Sequence, residues 1–228
     1  MADQLYLSLW FPNFRFDSLP AALVSVLRQF ALVSGEKRVA AVSVYPISFT
    51  ESPVYQRIYV NDDRSQSTED SIIENAVADA TEQLHDDMAY EFEMKWNLWR
   101  PEHAAVSEEV ALDTVWKPQP STVRIIGFGP QFDQASYEQN GHIRIDFGLD
   151  TPWILDELDE LDENSDEEDE RGAEQAEEAR KHIQQNVEML LAFTLSVEKN
   201  SGISSRLLWT ESGEPLAEKL IARLQRLN

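Results

Sequence analysis

The stretch 174–200, EQAEEARKHIQQNVEMLLAFTLSVEKN, carries the clearest helical period in the chain. Ala176, Ala179, Ile183, Val187, Leu190, Leu191, Thr194 and Val197 recur every three or four residues and define one face of an α-helix. Met189, Phe193 and Leu195 widen that face in the C-terminal half only, so the helix is expected to enter from solvent and finish between other elements. Asn200, Ser201 and Gly202 end it with residues that tolerate positive φ, and Lys199 sits where the helix dipole is negative. A helix with one broad apolar face needs a sheet to cover.

The strongest strand signal is residues 88–99, where Tyr90, Phe92, Met94, Trp96 and Leu98 alternate with Glu91, Glu93, Lys95 and Asn97. Residues 4–11 alternate in the same way, with Leu5, Leu7, Leu9 and Phe11 on one side. Between these strands, Leu19, Leu23, Val26, Leu27 and Phe30 mark a helix that starts near Pro20 and stops at Gly35. Residues 38–45 and 53–60 read as a hairpin, and Ile72, Ile73, Ala76, Ala80 and Leu84 mark a second helix. Strand, helix, strand, strand, helix, strand is the order of a ferredoxin-like, split βαβ unit.

Beyond residue 100 the periodicity lapses through Pro101, Pro118 and Pro120, so residues 101–121 read as a connecting segment. Residues 122–128, 141–149 and 205–210 are further strands, and Leu216, Leu220, Leu224 and Leu227 mark a last helix from Pro215. The second half thus repeats part of the element order of the first. The expected fold is α+β, with two-layer antiparallel sheets and helices on one face, built as two related ferredoxin-like (split βαβ) subdomains at 1–100 and 122–228. One continuous sheet shared by both halves is the alternative. Eleven of the fifteen residues from 156 to 170 are acidic, too charged to pack, so 156–172 is expected to be a disordered loop.

The net charge is −23, and the chain remains strongly acidic without that loop. Such a surface repels phosphate backbones and anionic membranes, so neither nucleic acid nor membrane is an expected partner; a basic protein surface is. The absence of cysteine removes disulfides, thiolate nucleophiles and cysteine metal sites. Residues 19–33 are interrupted by Ser25, Arg28 and Gln29 and read as a core helix; with no leader-like N-terminal stretch, a cytoplasmic location is expected.

Motifs for chemistry are sparse. His85, His103, His142 and His182 lie one per region without ligand spacing, so no metal and no cofactor is expected. Gly127-Phe128-Gly129-Pro130 lacks the third glycine of a dinucleotide loop and the lysine of a phosphate loop, which leaves a bend at a strand end. Asp146 with Asp150, and Glu211 with Glu214, are carboxylate pairs that strand and helix-end chemistry explain without catalysis. Of six tryptophans, Trp96 and Trp209 are expected in the core, while Trp116 and Trp153 are candidate interface residues beside Pro118 and Pro152.

These features favour a non-enzymatic, acidic protein-binding module, such as an inhibitor, adaptor or immunity-type partner. An enzyme or small-ligand binder is the alternative, with a candidate pocket of Arg124, Arg144, Asp146 and Arg206. A structural subunit of an assembly is the third reading.

Overall fold

In the computed structural model, residues 2–59, 69–103, 114–133, 137, 140–154 and 170–213 are described. The elements in chain order are β1 (Gln4–Trp10), α1 (Leu19–Ser34), β2 (Ala41–Pro46), β3 (Tyr55–Ile58), α2 (Glu69–Ala80), β4 (Met88–His103), β5 (Thr114–Phe128), β6 (Ile143–Leu149), α3 (Glu170–Asn200) and β7 (Ser205–Thr210). Short 3-10 turns at Phe16–Ser18 and Thr151–Trp153 precede α1 and follow β6. The acidic run up to residue 169 and the expected helix from Pro215 lie outside the described residues. Residues 170–172, expected as part of the acidic loop, already belong to α3.

The strands form one antiparallel sheet in the order β3-β2-β4-β5-β6-β1-β7. This corrects the expectation of two sheets, and the reason lies in the proline-rich segment. Pairing of β4 with β5 runs unbroken from Ala89 opposite Phe128 to His103 opposite Thr114, so residues 101–103 and 114–121 are strand. Phe128 donates its N–H toward β6, to the His142 carbonyl at 3.1 Å. By alternation, the nitrogens of Pro118 and Pro120 point to that same side. There β6 pairs with β5 only from Arg124 to Gly127, so no neighbour asks these prolines for a donor.

A ferredoxin-like unit would place its first strand between its third and fourth. Here β1 pairs with β6 and β7 instead. A split crossover nevertheless occurs twice within the sheet. β3 and β4 flank β2 and are joined through α2; β6 and β7 flank β1 and are joined through α3.

α1, α2 and α3 share one hydrophobic cluster with a single sheet face. Leu19, Leu23, Val26, Leu27 and Phe30 of α1, Ile73, Ala76 and Val77 of α2, and Leu190, Phe193 and Val197 of α3 are buried there. They meet Leu5, Leu7 and Leu9, the alternating stripe Tyr90 to Leu98, and Ile143, Ile145 and Phe147. By length and composition Phe16–Ser34 is apolar enough to cross a bilayer; in the fold one stripe of it, Leu19, Leu23, Val26, Leu27 and Phe30, is buried, while Leu32 is exposed.

The stripe on α3 differs from the sequence reading by one position along much of its length. Its buried residues are Ala179, His182, Asn186, Leu190, Phe193, Thr194 and Val197, whereas Ile183 and Val187 are half-buried and Leu191 is exposed. Asn186 explains the rotation. β4 runs past the end of β2, which leaves the outward backbone groups of Trp99 without a strand partner. The Asn186 side chain replaces that strand: Oδ1 accepts from Trp99 N–H at 2.9 Å, and Nδ2 donates to the carbonyls of Trp99 at 2.9 Å and Pro152 at 2.8 Å. Trp153 Nε1 donates to the Asn186 carbonyl at 3.2 Å, which ties the turn after β6 to the same point.

Replacing Asn186 with alanine removes the partner of the buried Pro152 carbonyl and of two part-buried Trp99 groups and should lower unfolding free energy by about 2–3 kcal/mol. Ile183→Ala on the adjacent half-buried position should lower it by about 1 kcal/mol. Urea unfolding of the two variants checks the contrast, and equal losses would deny the clip its role.

Candidate functional site

With α1, α2 and α3 on one face, the other face of the sheet carries what the alternation leaves over: Glu91, Glu93 and Lys95 on β4, Arg124 on β5, Arg144 and Asp146 on β6, and Ser43 and Tyr45 on β2. One end of this face is roofed by Phe132 and Phe49, which pack with Phe128, Ile126 and Ala89. Next to the roof is a cleft of about 400 Å³. Glu91, Glu93, Arg124 and Ile126 line it centrally, with Arg144 and Asp146 on one side and Ser43, Tyr45, Gln56 and Ile58 on the other.

Gly129 sets the position of the roof. Its backbone approaches the β4 start so closely that an added Cβ would lie 2.3 Å from the Asp86 carbonyl oxygen, and its N–H donates to the Met88 carbonyl at 2.7 Å. Gly127 instead faces α1, where the Leu19 and Leu23 side chains leave no room for a larger group. The two glycines therefore serve close packing, Gly127 against α1 and Gly129 against the backbone at the start of β4. Ile47 is held at φ 62°, a conformation strained for a β-branched residue, by its N–H to the Asp87 carbonyl and its carbonyl to the Asp133 N–H. Its side chain is exposed.

Arg144 lies in the aromatic corner, with its guanidinium carbon 5.2 Å from the Tyr6 ring centroid, 5.3 Å from Phe128 and 5.8 Å from Phe49. Nη1 donates to Asn140 Oδ1 at 3.0 Å, and Nε is buried without an acceptor among the described residues. Burial pulls the Arg144 pKa below the usual guanidinium value. Tyr6 stacks on Trp209 at 4.6 Å, and Trp209 Nε1 donates to the buried Ser8 hydroxyl at 3.0 Å. Trp209, expected in the core, thus lies half-buried on the uncovered face.

Asp146 is aimed by a bulge. Two steps along β1, from Gln4 to Tyr6, match three along β6, from Leu149 to Asp146, with Gly148 at φ 78° inside the extra step. Gly148 N–H donates to Asp146 Oδ1 at 2.8 Å, leaving Oδ2 turned to Arg124 Nη1 at 3.8 Å. Arg124 Nε lies 3.6 Å from Glu93 Oε1, so this arginine stands between two carboxylates. Glu91 has no such arrangement. It is only 8% exposed, and among the described residues it receives neither a hydrogen bond nor an ion pair. Burial pushes its pKa above the usual carboxylate value, with Glu93 and Asp146 adding to the rise and Arg124 opposing it.

The structure brings Arg124, Arg144 and Asp146 together and sends Arg206 elsewhere. Arg206 pairs with Leu9 in register, faces the helices, and donates from Nε and Nη2 to Glu198 Oε2 on α3 at 3.1 and 2.8 Å. Asp150, read as a possible companion of Asp146, instead accepts the Asp3 N–H at 2.9 Å. Trp153, a candidate interface residue in the sequence, is fully buried against Trp96 and Phe147, because the turn after β6 folds it inward. Trp116 is half-buried on the hairpin, where His182 stacks against it at 5.5 Å and against Trp99 at 4.0 Å. His142 lies on Phe14 at 4.0 Å and accepts the Phe11 N–H at Nδ1, and burial lowers its pKa. No three potential metal-ligating side chains converge among the described residues.

The sequence reading passed over Glu91 and Glu93, which it placed on the polar side of an amphipathic strand. The signal was present: Glu91, Glu93, Lys95 and Asn97 alternate with the buried stripe and so mark the face opposite α1, α2 and α3. The chain matches no protein-family model, no curated protein and no solved structure, so the site is read from its own geometry.

Glu91→Gln removes a carboxylate that the fold raises above its unfolded pKa. The wild-type penalty is absent below about pH 4.5, where both states hold the proton, and it grows as pH rises through the folded value. The variant should therefore be more stable than wild type at pH 7 and equal to it below pH 4.5. Urea midpoints across that range test the sign.

Proposed function

We propose that this protein is a non-enzymatic binding module that docks a basic surface of another protein on the face of its sheet opposite α1, α2 and α3. The observation that carries the reading is the cleft, where Glu91, Glu93 and Asp146 gather on the face opposite α1, α2 and α3. Partial desolvation of Glu91 disfavours its charged form, and an entering cation would offset that cost. The rim supports a protein partner, since exposed Ile47, Phe49, Val54 and Ile58 border the charged centre. The net charge of −23 would speed encounter with a basic partner. The cytoplasmic location expected from the sequence belongs to the same proposal.

A small-ligand reading draws on Arg144, whose Nε is buried without an acceptor at the side of the cleft. Against it, Arg124 and Arg144 are each engaged within the protein, whereas Glu91 is not.

Titrating ¹⁵N-labelled protein with a synthetic peptide of alternating arginine and alanine tests the docking reading. Amide shifts should change along β2, β4, β5 and β6. The triple variant Glu91→Gln, Glu93→Gln, Asp146→Asn should bind at least tenfold more weakly, whereas Glu177→Gln, Glu188→Gln, Glu211→Gln should bind nearly as wild type; tenfold corresponds to about 1.4 kcal/mol. Association should slow with salt, as the screening length falls to about 10 Å at 0.1 M. Shifts spread evenly over α3, or equal losses in both triple variants, would leave only non-specific polycation binding.

A further inference from the structure

We infer that the cleft seats the guanidinium of an arginine from the protein partner against Glu91, an inference that rests on the docking reading above. Three observations converge on it. Glu91 is more than nine-tenths buried, borders the cleft and has no donor from the described residues. The other carboxylates are already engaged, since Arg124 lies between Glu93 and Asp146 and Gly148 holds Asp146 Oδ1. An entering donor therefore finds its strongest unmet acceptor at Glu91.

The cleft walls favour a planar cation over a compact ammonium. Tyr45 and Phe49, whose rings lie 5.3 Å apart, border the cleft on the Glu91 side of the roof. Phe49 already accepts one guanidinium, that of Arg144, so the protein itself shows that this aromatic corner tolerates such a group. A guanidinium is more weakly hydrated than an ammonium and can bond a carboxylate through two parallel N–H groups, which lowers the cost of entering a half-enclosed space. Ser43, directly opposite Glu91 in register, and Gln56, which donates to the Ser43 hydroxyl at 3.5 Å, add polar atoms on the β2 side.

The charges around Glu91 set how the seat responds to pH. Tyr45 faces it from β2, Glu93 from its own strand, Arg124 from β5, and Arg144 and Asp146 from β6. The two arginines oppose an entering cation and the two acids favour it. Binding strengthens as Glu91 loses its proton.

The test uses the full chain with glutamate labelled at the side-chain carboxyl carbon. The Glu91 resonance is followed against pH alone and with acetyl-arginine methylamide, acetyl-lysine methylamide or acetyl-citrulline methylamide. The arginine compound should bind saturably and move the Glu91 titration to lower pH, the lysine compound should bind more weakly, and citrulline should leave it in place. Glu91→Gln should weaken the arginine compound by roughly tenfold or more, as loss of a charged hydrogen bond requires, and its amide spectrum reports that the fold is kept. The arginine–alanine peptide should compete for the same seat. No response at Glu91, or an equal one to lysine, overturns the guanidinium seat even where the peptide still maps to the sheet face. Binding of the capped arginine without binding of the peptide overturns the protein source and points to a free guanidino compound.

Discussion

Packing α1, α2 and α3 onto the same face of a seven-stranded sheet is the constraint on which the rest of this structure depends. α1, α2 and α3 all spend their apolar stripes on the same side, so every second residue of each strand is left to solve its own solvation on the other. At the margins that solution is simple, because Lys95 and Asn97 reach water from the exposed arm of the hairpin. In the middle it is harder. Glu91 sits on a central strand between Ser43 and Ile126 and beside the aromatic roof, so its charge lies in a place that water reaches poorly. The bulge at Gly148 and the strained Ile47 border the same region, and both are devices that fix a side chain at some expense in local backbone comfort.

How much of this was legible depends on which neighbours each residue needed. The strands and helices follow local periodicity, and Tyr90 to Leu98 or Leu5 to Leu9 read correctly because burial on one face is all they report. The prolines misled because residue identity alone does not say which way a strand nitrogen points; Pro118 and Pro120 are strand residues facing an unpaired side. On α3, Ile183 and Val187 were the apolar choice for the buried stripe, but the actual stripe includes His182 and Asn186, whose shared partner Trp99 lies more than eighty residues away in the sequence. Arg124, Arg144 and Asp146 came together because adjacent strands share their polar face. Arg206 did not, since its register with Leu9 fixes the opposite face and no local pattern reveals register.

Asn186 shows how a polar residue earns a place in an apolar layer. A strand that outgrows its neighbour exposes backbone donors and acceptors, and a side-chain amide presents both in the spacing a strand would. Alignment of α3 over the hairpin follows from that match, with Trp153 and the Trp99–His182–Trp116 stack closing the space around it. The arm is thereby stiffened along β4, while Pro118 and Pro120 blunt the opposite edge against pairing with other chains.

The position of β1 has a consequence for biogenesis. Of the seven strands β1 is synthesised first, and it is enclosed by β6 on one side and by β7, some two hundred residues later, on the other. Until translation has passed residue 210, one border of β1 stays unzipped, and the nascent chain must carry Leu5, Leu7 and Leu9 without their final shelter. The strong surplus of negative charge then has a second use, because mutual repulsion between nascent chains keeps those open borders apart while synthesis continues.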